Sequence, residues 1–389
     1  MIMKPIYLDY NATTPIDPYV VSAMLPYLEK HFGNPSSGYI FGQRAKEATE
    51  KARVQVAKFL SCSTDEVIFT SGGTESNNHA IKGAAFALRH RGNHIITTQI
   101  EHPAVLEVCK FLESNGFDVT YLPVDEHGLL NVSDVEEAIR PDTILITIMH
   151  ANNEVGTIQP VEQVSRLAKK HEIIVHTDAA QSAGKISIDV NTLGVDLLSL
   201  AGHKLYAPKG IGALYVKRGV KLEKFMHGAG QEKSRRAGTE NVLEIVGLGE
   251  ACEIAGQNLD RDAHHMMNMR DRLFDGLKNK LKEIRLNGHA EKRLPNTLSL
   301  SFDGVDANVL LDRIKDNLAV SAGAACHSGS LEVSHVLKAM NVLTKLARGT
   351  LRFSTGRMIT ASEIDEAIDI VSDAVLNLKI EAGGSVMKI

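Results

Sequence analysis

Short apolar runs, each ending at a polar residue and followed by a helical pattern, constrain this chain more than any other feature. They lie at 67–70, 94–100, 119–123, 144–149, 173–177 and 195–200. Nearly all-apolar strands alternating with helices form a mostly parallel sheet covered on both faces. In such α/β sheets, ligands bind beyond the carboxyl ends of the strands. Thr74, His102, Asn153, Asp178, Gln181, His203 and Lys204 each fall just past a predicted strand end. We read them as one converging site.

With 389 residues, the chain suits one large domain and a smaller one. The large domain is expected over 15–260. The small, α+β domain is expected to combine 1–14 with 261–389. Its predicted elements are a long amphipathic helix carrying Met266, Met269, Leu273, Leu277, Leu281 and Ile284, strands at 295–302, 318–321 and 350–354, and a last helix. Thr360 and Glu363 form a capping box for that helix, and 381–389 reads as a frayed tail. A net charge of -4 gives no reason to expect nucleic acid or an anionic membrane as partner. No apolar run reaches transmembrane length, and the N-terminus is too soon polar for a signal peptide. Cys62, Cys109, Cys252 and Cys326 lie far apart with no CxxC pair. That spacing suits a reducing cytoplasm, without a zinc site or a disulfide framework.

The run at 195–200 stops at Ala201-Gly202, His203 and Lys204 follow at once, and a second apolar run fills 211–216. This predicts strand, turn, strand, with a lysine at the turn. Burial lowers a lysine pKa, and a neutral amine attacks carbonyls to form a Schiff base. Asp178 is an anion suited to a protonated pyridine nitrogen. Gly73 and Thr74 at a helix N-terminus, with His203, are phosphate donors. His102 is placed to cover a ring face. Together these residues point to pyridoxal phosphate. Each also has a plainer reading: Lys204 as a solvated lysine, Asp178 as a helix cap, His102 and Asn153 as turn formers. Their joint placement favours the site.

Small residues surround Cys326, Gly323-Ala324-Ala325 before it and Ser328-Gly329-Ser330 after. They predict an exposed loop and a reactive thiol, against the plainer reading of a small core hydrophobe. Cys62, Cys109 and Cys252 sit in or beside helical patterns and read as packing residues.

The stretches at 7–15, 32–37, 70–77, 101–102, 151–156, 176–181, 202–204 and 236–241 resemble those of the pyridoxal-phosphate cysteine desulfurases, class V aminotransferase relatives of the nitrogen-fixation and iron–sulfur-assembly type. The resemblance runs from Ile6 to the last helix. It implies aminotransferase fold type I, with a mostly parallel seven-stranded sheet, as a cytoplasmic homodimer. It implies that Lys204 joins the cofactor, that His102 stacks on it and moves protons, and that Asp178 and Gln181 hold its ring nitrogen and hydroxyl. Asn153 would orient cofactor and substrate. Gly73, Thr74 and His203 would hold the phosphate, with Thr239 reaching in from the other subunit. Asn34 and Arg352 would hold the substrate carboxylate. Cys326 would take sulfur from L-cysteine as a persulfide, leaving alanine, and pass it to an iron–sulfur scaffold or another acceptor. No metal site is implied, beyond Cys326 as a transient iron–sulfur ligand.

Two positions depart from that pattern. Ala201 stands where many members place serine, which removes a hydroxyl donor worth roughly 1.5–3 kcal/mol to a charged phosphate. The run Ala325-Cys326-His327-Ser328 is similar to selenocysteine lyases, which makes that activity the alternative of the same class. A scaffold that binds the cofactor without catalysis is the alternative of a different class.

Overall fold

The computed structural model describes residues 5–323 and 333–386. After β1 (Ile6–Tyr7) come α1 (Pro18–Glu29) and α2 (Ile40–Leu60), then an alternating series. It consists of β2 (Val67–Thr70), α3 (Gly73–Ala87), β3 (His94–Thr98), α4 (Pro103–Glu113), β4 (Asp118–Leu122), α5 (Val132–Ala138), β5 (Thr143–Thr147), α6 (Val161–Lys170), β6 (Ile174–Asp178), α7 (Val190–Leu193), β7 (Leu197–Ala201) and β8 (Gly212–Val216). The chain continues through α8 (Gln231–Ser234), α9 (Val242–Lys280), β9 (Ile284–Asn287), β10 (Thr297–Phe302) and α10 (Ala307–Ile314). It ends with β11 (Leu318–Ala319), β12 (Ser321–Ala322), α11 (His335–Ala339), α12 (Thr344–Ala347), β13 (Thr350–Ser354) and α13 (Ala361–Val386).

The large sheet has seven strands in the order β2-β8-β7-β6-β5-β3-β4. Only β8 runs against its neighbours, pairing antiparallel with β2 and β7. Successive residues of a strand face opposite sides, and both sides are buried here. Ile96, Ile146 and Leu198 join one core, under α2, α6 and the first half of α9. Their neighbours Ile95, Leu145 and Leu197 join the other, under α3 and α4. That double burial is why the strands read as continuous apolar runs. Truncating one such residue to alanine costs about 2–5 kcal/mol.

A four-stranded antiparallel sheet, β12-β13-β10-β9, forms a separate layer, and β1 pairs in parallel with β11. Leu8, Leu273, Leu298, Leu300, Phe302, Phe353 and Ile364 close its core. After β1 the chain bridges from Asp9 to Ser354. That crossing carries Asn11 to the open end of the large sheet.

The predicted strands lie within two residues of those observed, and the Thr360–Glu363 capping box is present. Four expectations are corrected. The pattern change at 260 falls inside α9, which runs unbroken for 39 residues. Gly247 and Gly249 let its first half pack closely on α1 and α2: a Cβ on Gly249 would lie 2.6 Å from the Ala52 Cα. Ile284 is in β9, because the chain turns extended at Leu281. The run at 318–321 divides between β11 and β12, which serve different partners. The C-terminal segment is helical as far as Val386.

Candidate active site

The carboxyl ends of β3, β6 and β7 and the start of α3 surround a cavity of about 390 Å³. Gly73, Thr74, His102, Asn153, Asp178, Gln181, His203, Lys204 and Arg352 all line it. Thr239 and Asn34 are exposed and lie outside it. Cys326 and its neighbours 324–332 lie outside the described residues.

Lys204 sits on a single helical turn after β7. Its Nζ donates to the carbonyl oxygens of Asn11, at 2.5 Å, and Ala12, at 2.7 Å. Burial, then the charge of Arg352, lowers its pKa to about 8 against the pull of Asp9 and Asp178. The turn is held open by Tyr206 at φ 61, a left-handed conformation unusual for a tyrosine. Three contacts hold that residue: its N–H donates to Thr14 Oγ1 at 2.9 Å, its hydroxyl accepts from the Arg357 N–H at 2.9 Å, and the Arg357 guanidinium covers its ring. The structure thus spends packing on aiming one lysine.

Asp178, at the end of β6, is buried. One oxygen accepts from Asn77 Nδ2 at 2.7 Å, and the other from the Ala180 N–H at 2.9 Å. No cationic side chain pairs with it among the described residues. A buried carboxylate costs free energy until a cation meets it, so Asp178 is suited to a protonated ring nitrogen. The helix-cap reading also holds, through Ala180.

His102 is the N-cap of α4, its Nδ1 accepting from the Ala104 N–H at 3.1 Å. The neutral ring therefore carries its proton on Nε2, an assignment made from this bond. His102 is exposed at the cavity rim; desolvation by the surrounding protein is the first cause lowering its pKa, with Asp178 opposing and Lys204 and His335 adding to it. The turn-former reading and the site reading are both true of this residue.

Helix α3 begins at Gly72-Gly73 with no side-chain cap, so its first N–H groups are free for an anion. A Cβ on Gly73 would approach the Ala201 Cβ to 3.2 Å. The small residue at 201 therefore faces the same anion pocket. His203 Nδ1 is 3.2 Å from Thr13 Oγ1. Burial, then the charges of Lys204, Lys209 and Lys185, lowers its pKa to about 4.

Arg352 lies on β13 of the smaller sheet and closes the cavity from that side. Its Nη2 donates to Asp9 Oδ1 at 2.8 Å and to Ser321 Oγ at 3.0 Å, and its Nη1 to the Asn153 carbonyl at 3.1 Å. Its buried Nε has no partner among the described residues. The guanidinium is paired with Asp9 while it lines the cavity, and a cationic guanidinium at a cavity wall is suited to a substrate carboxylate. The donor set, the uncapped helix and the unpaired Asp178 together fit pyridoxal phosphate and an amino-acid substrate.

Sequence reasoning did not single out Asn11, Asn77 and Asp9. Asn11 and Asp9 precede the strand–helix alternation and are brought to the site only by the crossing at Ser354. Asn77 had a local signal: it lies one helical turn after Gly73-Thr74, on the face those residues present.

The Aminotransferase class-V family model matches residues 6–367. The chain is 48% identical over 377 residues to the cysteine desulfurase IscS of Dictyoglomus turgidum, covering 97% of this chain and 96% of that one. It is equally identical to the IscS of Methanosarcina thermophila, covering 97% and 93%. Among solved structures, a NifS-like protein superposes with a TM-score of 0.90 at 40% identity, covering 95% of this chain and 99% of that chain. A second, described as SspA in complex with cysteine, gives 0.80 at 40% identity, covering 91% and 99%. The family model spans most of the chain, the curated relatives match it nearly end to end, and the chain belongs to the class V aminotransferase family.

Proposed function

We propose that this chain is a pyridoxal-phosphate-dependent cysteine desulfurase. The observation that carries this reading is the meeting of Lys204, Asp178, His102 and Arg352 on one cavity, in a chain nearly half identical to IscS enzymes. When bound, pyridoxal phosphate supplies an aldehyde that takes an amine and a ring that accepts electrons. The residues of the chain do the rest. Thr74, the first N–H groups of α3 and His203 would hold the phosphate. Asp178 would keep the ring nitrogen protonated, and Gln181 would hold the ring oxygen. Arg352, which lines the cavity from the side of β13, would take the substrate carboxylate. His102 would cover one face of the ring and is the candidate for moving protons there.

Cys326 receives the sulfur in this reading. Its thiol and L-cysteine give alanine and a Cys326 persulfide: the carbon–sulfur bond breaks, a sulfur–sulfur bond forms, and the thiol proton balances the new C–H. A sulfur acceptor, such as an iron–sulfur scaffold, then collects the terminal sulfur. Two units are proposed, 15–260 and 1–14 with 261–389, in keeping with their separate cores and with α9 running through both.

The active form is proposed to be a homodimer. Tyr19, Leu28, Phe32, Tyr39 and Ile40 are exposed apolar side chains within one short stretch, and such a patch marks an association surface. Thr239, exposed here, would complete the phosphate site of a second copy, and Asn34 would join the substrate end. No helix among the described residues is long and apolar enough to cross a membrane, which agrees with a cytoplasmic enzyme. The test is incubation with L-cysteine, pyridoxal phosphate and a reductant. Alanine and sulfide should appear in equal amounts. Alanine from L-selenocysteine alone would replace this reading with a selenocysteine lyase.

A further inference from the structure

We propose that Lys185 is a positioning residue of this site, acting through Gln181 on the ring oxygen of the bound cofactor. This rests on the reading of the cavity as a pyridoxal-phosphate site. Lys185 is 4% exposed. No carboxylate pairs with it among the described residues. Its Nζ donates instead to Gln181 Oε1 at 2.8 Å and to Asn11 Oδ1 at 3.4 Å. An amine buried without an anion costs free energy, and a methionine would fill the same space without that cost. What the amine adds is direction.

The Gln181 carboxamide lies between Lys185 and the backbone of Asn11. Its Nε2 donates to the Asn11 carbonyl at 3.0 Å. Turning the amide over would set two donors together at Lys185 and two acceptors together at Asn11. As an ammonium, Nζ has only N–H groups to offer and requires an acceptor oxygen from Gln181; as an amine it still donates to Oε1 here, while Nε2 is engaged by the Asn11 carbonyl. Oε1 is thereby held away from the cavity that Gln181 lines. Nε2 keeps a second hydrogen for an oxygen inside it. Burial, with the charges of Lys204 and Arg352, holds the Lys185 pKa well below that of a free lysine.

The test uses full-length protein stripped of cofactor and reloaded with pyridoxal phosphate. Lys185→Met, Gln181→Ala and the double variant are compared for dissociation constant and for the absorption maximum of the bound cofactor. Lys185→Met should weaken binding about tenfold, as for a lost hydrogen bond from a polar donor, and move the maximum. The double variant should bind no worse than Gln181→Ala alone. If Lys185→Met changes neither readout, or if its effect adds in full to that of Gln181→Ala, the proposal is overturned. Where Lys185→Met does not fold by circular dichroism, Lys185→Gln, polar but one atom shorter, is judged by the same two outcomes. Should Gln181→Ala itself leave binding and spectrum unchanged, the cofactor reading of this wall fails and the proposal with it. A shift for Gln181→Ala beside none for Lys185→Met defeats the proposal alone.

Discussion

Asn77 Nδ2 donates to Asp178 Oδ2 at 2.7 Å, from the second turn of α3 to the end of β6. The amide fixes the carboxylate without neutralising it, so the negative charge remains for a ring nitrogen. The bond also ties the anion-binding end of α3 to the carboxylate on the opposite wall.

Asp178→Asn should keep the fold and lose turnover by about a hundredfold or more, the scale of losing one preorganised electrostatic partner. Asn77→Ala should be milder, because Asp178 keeps its charge and its bond from Ala180. Steady-state alanine formation checks both. A near-normal rate for Asp178→Asn would remove the case for a protonated ring.

Cofactor uptake should depend on pH through Lys204. Only the neutral amine attacks an aldehyde, and the pKa of this group is lowered to about 8. Uptake by the cofactor-free protein should therefore be slow at pH 6, half-maximal near pH 8, and level above that. Stopped-flow absorbance follows the rate. Lys204→Ala should bind pyridoxal phosphate reversibly and retain none after borohydride reduction. Covalent fixation in that variant would identify another lysine as the anchor.

Stability should fall on mild acidification because of histidines that play no part in the reaction. His176 is fully buried, with Nδ1 2.8 Å from Thr147 Oγ1 and Nε2 2.9 Å from Ser199 Oγ. Burial lowers its pKa from 6.5 to about 3. Below pH 6.5 the unfolded chain takes up a proton that the folded chain refuses. Each such residue then costs about 1.4 kcal/mol per pH unit until the folded pKa is reached. His79 and His150, each lowered to about 4 chiefly by burial, add to the slope. The urea midpoint should fall between pH 7 and pH 5. Replacing His176 by Gln, which bears no proton to gain, should flatten that fall even if the variant starts less stable.

Much of this site was legible because a parallel sheet announces itself locally. Doubly buried strands are apolar throughout, so their ends are visible as polar residues, and His102, Asp178 and Lys204 stand there. Asn11 was not legible: its bond to Lys204 spans 193 positions and depends on the chain crossing at Ser354. Helix ends were also hidden. Leu277, Leu281 and Ile284 keep a helical spacing across the point where the backbone turns extended, and periodicity does not record that turn. Gly247 and Gly249 look like helix breakers in the sequence, yet in α9 they are close-packing positions, a role visible only once α1 and α2 are in place. Thr239 and Asn34 came from the resemblance, and one chain alone does not bring them to the cavity.

The most direct test of the central claim is a single-turnover measurement without reductant, comparing the wild type with Cys326→Ala. In the wild type, each active site should yield one alanine and a protein one sulfur atom heavier by mass spectrometry, the added sulfur mapping to Cys326. Cys326→Ala should bind pyridoxal phosphate and L-cysteine, change the cofactor spectrum, and yield almost no alanine. Full alanine release by Cys326→Ala, or added sulfur on another cysteine, would contradict the account.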